Sequence, residues 1–193
     1  MLSASRQALT MAATLAVLSA AAPAADAAPA AATETLSCSV NGDVTFSPAL
    51  SAQAPPTTVT IGGTAANCLD SQSGTGAVVS GTVTATLKFS ALSCDPAKPA
   101  VLAPGSTAAF TWTLKDGSQA TSTLTGIALT EIDGTGTLTA TVTSGSSRLA
   151  GEKLTALLNV DSKQPVVDNC IDVLLGTGAP IINSTLTADA AFG

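Results

Sequence analysis

The segment Ala108–Leu124 alternates apolar and polar residues on both sides of an Asp116-Gly117 pair. Successive side chains of a β-strand point to opposite faces, so Phe110, Trp112 and Leu114 share one face of the first half. The Asp-Gly pair predicts a type I′ turn, in which both central residues have positive φ. Trp112 is the only tryptophan, and we interpret it as a core anchor and not as a ligand platform. The segment therefore predicts a β-hairpin against which the remaining chain packs.

The same alternation of threonine with apolar residues recurs along most of the chain. In the longest example, Val83, Ala85, Leu87 and Phe89 are predicted to face inward. Residues 153–160 also fit helical spacing, but we assign a strand because the segment is short and its neighbours are strands. We expect no amphipathic helix after the N-terminal region. About eight or nine strands result, which favours a β-sandwich or barrel; the candidate segments are 38–46, 57–61, 78–92, the two halves of the hairpin 108–124, 124–132, 137–143, 153–160 and 181–188.

Several connections carry more specific expectations. Gly62-Gly63 predicts a β-bulge before Cys68. Residues 97–105 include two prolines and are long enough to cross between two sheets. Asp133-Gly134 predicts a second tight turn, and residues 161–179 are the least regular region. In the last strand we expect Ile182 to share a face with Leu186 and Ala188.

The N-terminal residues are typical of a secretory signal peptide. Residues 1–6 carry one positive charge, residues 8–22 are apolar, and a small-residue cleavage pattern, Ala25-Asp26-Ala27, follows Pro23. The apolar run is shorter than the roughly 20 residues that a membrane-spanning helix needs. We predict a signal peptide over residues 1–27, a flexible leader over 28–35 and one folded domain over 36–193, secreted to the extracellular space without a membrane span.

The predicted mature chain contains four cysteines, Cys38, Cys68, Cys94 and Cys170. An even number in an exported domain indicates two disulfides, for which sequence alone leaves three connectivities. We favour Cys38–Cys68 with Cys94–Cys170. The first pair brackets two antiparallel strands, since Cys38 opens one and Cys68 closes the next.

A set of local features resembles a known group of proteins. These are the signal peptide, the Gly-Thr-Val-Thr-Ala run at residues 81–85, the Phe-Ser-Ala-Leu-Ser-Cys run at residues 89–94 and the threonine-rich strands. The chain resembles the small secreted immunoglobulin-like β-sandwich proteins of actinobacteria, most of which are uncharacterised. The resemblance implies an all-β, immunoglobulin-like antiparallel β-sandwich of about eight or nine strands with two disulfides.

The composition argues against most enzyme classes. The chain has no histidine and no tyrosine, which excludes Ser-His-Asp and Cys-His triads and histidine-ligated metals. A carboxylate pair such as Asp168 and Asp172 is a candidate for glycoside hydrolysis or a weak calcium site, but a solvated acidic loop explains these residues better. Asp133 is explained by its turn, and we give no weight to the glycosylation sequon at Asn183. We therefore predict no enzyme activity, no catalytic residue, no cofactor and no metal.

Three functions remain open. The first is a non-enzymatic extracellular or cell-envelope module, structural or binding, whose partner is an unknown protein, envelope component or small molecule. The second is a carrier of an apolar small molecule, similar to the neocarzinostatin-related chromophore proteins. The third is a pilus-type subunit that exchanges strands, suggested by Phe192 in an alternating C-terminal strand. Nucleic acid is not expected as a partner, because the six basic residues after residue 27 are scattered.

Overall fold

The computed structural model describes residues 34–95, 97–132, 135–160 and 166–193. Within these residues the chain forms nine antiparallel strands and one α-helix, so the predicted all-β class is confirmed. The strands are β1 (Leu36–Leu50), β2 (Thr57–Asp70), β3 (Val78–Ala91), β4 (Val101–Leu102), β5 (Thr107–Leu114), β6 (Gln119–Ile132), β7 (Thr135–Val142), β8 (Lys153–Val160) and β9 (Ile181–Phe192), and the helix is α1 (Val166–Leu174).

Eight of the strands form one closed sheet. Neighbours in sequence pair antiparallel from β1 to β9, with the short β4 set aside, and β1 also pairs with β9. The pairing of β2 with β3 then completes the ring. The ladder between them is regular from Thr57 opposite Phe89 to Ala65 opposite Gly81. Closure gives each of the eight strands a partner on both sides, which removes the exposed edges of an open sheet.

The sequence suggested that the connection between β3 and β5 crosses between two sheets, but it stays within one sheet. Its residues 101–102 form β4, which pairs with the end of β3, and β5 pairs with the same strand. An immunoglobulin-like sandwich divides its strands between two sheets joined by Greek-key connections. Because the pairings here follow chain order around one sheet, the immunoglobulin-like arrangement is not confirmed.

The interior is filled by the inward faces that the alternation predicts. Val83, Ala85, Leu87 and Phe89 are all buried. Trp112 is 0% exposed, and its ring stacks on Phe110 with 4.7 Å between ring centroids. Phe192, from the last strand, lies edge-on to both rings at 5.4 and 5.6 Å. The predicted hairpin is therefore the centre of an aromatic core, closed by the C-terminal strand.

A glycine makes room for the tryptophan. Gly81 lies opposite Trp112 in the β3–β5 ladder. A Cβ atom at Gly81 would lie 2.6 Å from Cε3 of the indole ring, closer than two carbon atoms can approach. The Gly-Thr-Val-Thr-Ala run therefore opens with a residue whose missing side chain is needed for packing.

Both favoured disulfides are confirmed. Cys38 bonds to Cys68 across the β1–β2 pair, and Cys94 bonds to Cys170. The second bond joins the segment after β3 to helix α1, and its two cysteines are 76 residues apart in the sequence.

One predicted turn type is wrong, and one predicted β-bulge lies elsewhere in its strand. Gly117 has φ +85, but Asp116 is not among the residues with positive φ, so the hairpin turn is not of type I′. The Gly117 amide donates to the Leu114 carbonyl, and the Asp116 carboxylate accepts from the Ser118 amide. A turn with these hydrogen bonds needs only one residue in the left-handed conformation, which is Gly117. The bulge predicted before Cys68 does not lie at Gly62-Gly63, because both glycines keep their register with β1 and β3.

The irregularity in β2 lies five residues later. Between Ser37 and Ser39 the register of β1 against β2 shifts, since their partners are Leu69 and Ala66. Asn67, with φ +52, lies in the additional stretch of β2. Glycine at 63 serves a close backbone approach instead: a Cβ at Gly63 would lie 2.6 Å from the Asn41 carbonyl oxygen.

Two further predictions fail near the C-terminus. Residues 161–179 contain helix α1, although we expected no amphipathic helix. Ile182 is 57% exposed, whereas Leu186 and Ala188 are buried, so these residues do not share a face. The β1–β9 register shifts between Thr45 and Leu50, and Leu50 pairs with Ile181. The irregular pairing explains why strict alternation does not continue to the start of β9.

The strand directions define two ends of the closed sheet. The terminal end holds the start of β1, the end of β9 and the loops 71–77, 115–118 and 143–152. The helix end holds the loops 51–56 and 97–106 and helix α1.

Candidate functional site

The most distinctive polar arrangement lies at the terminal end and is centred on Arg148. Its side chain is only 6% exposed, and its Nη2 donates to both carboxylate oxygens of Asp70 at 2.7 Å. Its Nη1 donates to Glu34 Oε2 at 2.8 Å. We call Glu34, Asp70 and Arg148 the terminal ion cluster. A buried charge is stable only when it is paired and hydrogen-bonded, and this cluster meets that requirement in large part.

Local backbone geometry holds Asp70 in place. The Asp70 carboxylate accepts hydrogen bonds from the amides of Gln72 and Val78, at 2.9 and 2.8 Å, where β2 ends and β3 begins. Burial acts to raise the pKa of Asp70. The two amides and the Arg148 guanidinium outweigh burial, so the pKa of Asp70 lies below its ordinary value of 3.8.

Glu34 ties the start of the described chain to the same cluster. Its second carboxylate oxygen accepts from the Gln72 side chain, and its amide donates to Glu152 Oε1 at 3.2 Å. Next to it, the Thr35 amide donates to Ser71 Oγ and the Thr35 carbonyl accepts from the Ser71 amide. Both residues fall in the predicted leader, 28–35; residues 28–33 and the predicted signal peptide lie outside the described residues.

A chain of hydrogen bonds connects the cluster to the aromatic core. The indole Nε1 of Trp112 donates to Ser122 Oγ at 2.9 Å. Ser122 is fully buried, and its hydroxyl donates to the backbone carbonyl of Arg148 at 2.7 Å. The core tryptophan is thus linked through one serine to the residue that carries the buried charge.

The chemistry of the cluster is that of binding and orientation. A guanidinium remains protonated at all ordinary pH values and cannot act as a base. Arg148 Nε has no hydrogen-bond partner among the described residues, so one donor of the buried charge is unused. Among those residues, no three His, Cys, Asp or Glu side chains gather in a way that could hold a metal ion.

Two open grooves run along the outer surface beside this end. One, of about 350 Å³, is lined by residues that include Thr35, Leu36 and Phe192, and the other, of about 460 Å³, includes Asn67 and Asp189. Leu69, 75% exposed, borders both grooves, and Leu157, 53% exposed, borders the larger. They are surface features of the sheet and not an enclosed chamber.

Of the residues weighed from the sequence, the structure describes Asp172 and Asn183 in full and only the backbone of Asp168. Asp172 is exposed in α1, and its backbone carbonyl accepts from Thr177 and Gly178 where the helix ends. The side chain of Asp168 and the whole of Asp133 and Asp161 lie outside the described residues. Asn183 is exposed in β9, where its Oδ1 accepts from Thr45 Oγ1 at 3.1 Å. Asp168 and Asp172 both lie in α1 and not in the solvated loop that we expected, and whether their carboxylates form a pair is not tested.

Sequence reasoning missed Arg148, Asp70 and Ser122. The sequence does contain one signal for the first: Arg148 is the only arginine after residue 6, in a chain whose other cations beyond that point are lysines. Arginine is the usual cation of buried ion pairs, because its planar group binds carboxylates at several positions.

Comparison with known proteins adds no relative. No family model, curated protein or solved structure matches the chain. Among the described residues, no helix has both the length and the apolar character needed to cross a membrane.

Proposed function

We propose that this protein is a secreted, non-enzymatic domain that acts outside the cell as a structural or binding module of the extracellular space or the cell envelope. The observation that carries the proposal is the closed sheet with two internal disulfides and a packed aromatic interior. Disulfides persist in oxidising compartments, and such a scaffold keeps its shape without a ligand.

The contact surface in this proposal lies on the outside of the sheet and at its ends. Threonines such as Thr82 and Thr84 cover much of the outer wall, which carries few charges. At the helix end, Ile171, Leu174 and Leu175 are exposed at the spacing of one helix face. Exposed apolar residues that cluster on a small domain favour a role in association.

The two other functions have less support. The rings of Phe110, Trp112 and Phe192 occupy the interior near the terminal end, where a carrier of an apolar molecule would need free volume. A strand-exchanging subunit needs an incomplete sheet. Here β9 is paired on both sides within its own chain, with β1 and β8.

Native mass spectrometry of protein from the culture supernatant of its own host tests the proposal. We expect residues 28–193 at a mass four hydrogens below the reduced value, with no change in composition when the sample is denatured without reductant. A small molecule released on denaturation would replace the proposal with the carrier function. A ladder of oligomers would support self-assembly instead.

A fractionation experiment tests the location. We expect the processed chain in the supernatant or envelope fraction and no thiol that reacts with an alkylating reagent before reduction. Full-length protein in the cytoplasm, with four reactive thiols, would contradict the proposal.

A further inference from the structure

The loop between β7 and β8, residues 143–152, covers a part of β6 that pairs with β5 on one side but extends beyond β7 on the other. The β6–β7 ladder begins at Leu124 opposite Val142, so Thr121 and Thr123 lie beyond its end. We call residues 143–152 the strap. Its Thr143 and Arg148 amides donate to the Thr123 and Thr121 carbonyls at 2.8 and 3.1 Å.

The strap completes this edge with side chains where a strand would use backbone. The Thr121 amide donates to Ser147 Oγ at 2.8 Å, and the Thr123 amide donates to Ser146 Oγ at 2.9 Å. Hydroxyls on a loop satisfy the amides as well as carbonyls would, but they form no cooperative ladder. This edge of β6 is therefore joined to its neighbour by hydrogen bonds from a loop and not by a strand ladder.

The strap is held down by the terminal ion cluster and by Leu149. Leu149 is 1% exposed and has φ +59, a left-handed conformation that is strained for a residue with a bulky side chain. Such a conformation persists only where surrounding contacts enforce it. The contacts here are the burial of Leu149 and the pairing of Arg148 with Asp70 and Glu34.

We propose that the strap is a charge-latched lid, which opens as a unit at a lower free energy than unfolding of the closed sheet. Arg148 is the latch, and the carboxylates of Glu34 and Asp70 hold it closed. Glu152, whose carboxylate accepts from the Glu34 amide, is the other acidic group bonded to this cluster. Opening exposes the backbone amides and carbonyls of Thr121 and Thr123 to solvent and releases the backbone strain at Leu149. Local opening of this kind is expected where few ladder hydrogen bonds hold a segment.

Trp112 provides a built-in reporter of the lid. It is the only tryptophan, and Ser122 links its indole to the backbone carbonyl of Arg148. When the strap lifts, Ser122 loses its acceptor and the indole becomes accessible to small quenchers.

Amide hydrogen exchange on the oxidised, secreted protein tests the proposal. The main variant is Glu34→Gln, because its side chain is partly exposed and its loss leaves the Arg148–Asp70 pair intact. We expect protection of the Thr121, Thr123 and Arg148 amides to fall about fivefold, the effect of one partly exposed ion pair. Protection of the β2–β3 ladder should not change. Acrylamide quenching of Trp112 should increase in the same variant.

The matched control is Asp95→Asn, which removes the partly exposed Asp95–Lys98 pair at the helix end. It should leave the amides of the strap edge and Trp112 quenching unchanged. If Glu34→Gln lowers protection across all strands equally, the cluster stabilises the whole fold and the lid proposal is wrong. Unchanged protection at Thr121 and Thr123 would overturn it as well.

Discussion

The two ends of the closed sheet are closed by different kinds of interaction. At the terminal end, the buried Arg148 joins Asp70 and Glu34, and hydrogen bonds extend from it through Ser122 to Trp112. At the helix end, the bond between Cys94 and Cys170 attaches α1 to the sheet, and the ion pair there, Asp95–Lys98, is partly exposed on both sides.

The difference shows where each end depends on accurate geometry. A buried ion pair is stabilising only if nearly all of its donors and acceptors are matched, because desolvation of the charges is costly. A disulfide acts mainly by restricting the unfolded chain and tolerates polar or apolar surroundings. The terminal end, which also holds the Cys38–Cys68 bond, can therefore be weakened through its buried charge, whereas the attachment of α1 at the helix end can be weakened by reduction.

The largest expected effect separates the two disulfides. Replacing both Cys94 and Cys170 by serine removes a cross-link over 76 residues, against 30 for Cys38 and Cys68. The chain-entropy relation gives losses of about 4.5 and about 3.6 kcal/mol in the free energy of unfolding. Urea unfolding of each double variant measures both values. A larger loss for the shorter loop would show that native contacts, and not chain entropy, dominate.

Removal of the buried charge should have an effect of similar size. Arg148→Met keeps the length of the side chain but leaves Asp70 buried without its partner, which is expected to cost about 3 to 5 kcal/mol. The matched variant at the other end, Lys98→Met, breaks only a partly exposed pair and should cost less than about 1 kcal/mol. Equal losses in urea unfolding would remove the distinction between the two ends.

The packing of Trp112 predicts an intermediate effect. In Gly81→Ala the new methyl group meets the indole ring, and overpacking of this kind costs about 1 to 3 kcal/mol. Gly62→Ala is the control, since a Cβ there has no neighbour within 4 Å and the residue is exposed. We expect thermal unfolding to separate the two variants, and a stable Gly81→Ala protein would show that the ring can move aside.

Acid should weaken the terminal end through protonation of Asp70. The pKa of Asp70 is lowered in the folded protein, so its contribution to stability is complete above the unfolded-state value, about 3.9, and is lost as pH falls through the lower folded value. Trp112 fluorescence should therefore report a change in this acidic range that is absent in Asp70→Asn. A transition centred above pH 5 would point to another group.

The smallest effect on the free energy of unfolding is expected at Leu175, the residue that follows α1. Leu175 is 71% exposed, so Leu175→Ser should change the free energy of unfolding by less than about 0.5 kcal/mol. Its buried counterpart in the strap, Leu149→Ser, should cost several times more, because Leu149 is 1% exposed. A large loss for Leu175→Ser in urea unfolding would mean that α1 is more closely packed than its exposure indicates.

Local patterns predicted much of this fold. Alternation identified the inward residues of β3 and the packing of Phe110 and Trp112, and the positions of Cys38 and Cys68 at two strand ends indicated their bond. These features depend on residues near one another in sequence or on a period of two. The predicted type of the turn at Asp116 was wrong, because a dipeptide allows several turn types and only the adjoining strands select one.

The candidate site depended on contacts between distant residues. Glu34 and Arg148 are 114 residues apart, and Asp70 and Arg148 are 78 apart. Each is an ordinary surface residue as far as its neighbours in sequence indicate. Only the closure of the sheet brings them to one place and removes water from the arginine.

The sequence by itself determined an all-β, disulfide-bonded chain, because strand alternation and cysteine positions are local properties. The tertiary structure alone decided that the strands form one closed sheet and that one end is closed by a buried charge. Ring closure depends on the pairing of β2 with β3 and of β1 with β9, and register between such strands is set by packing over the whole interior.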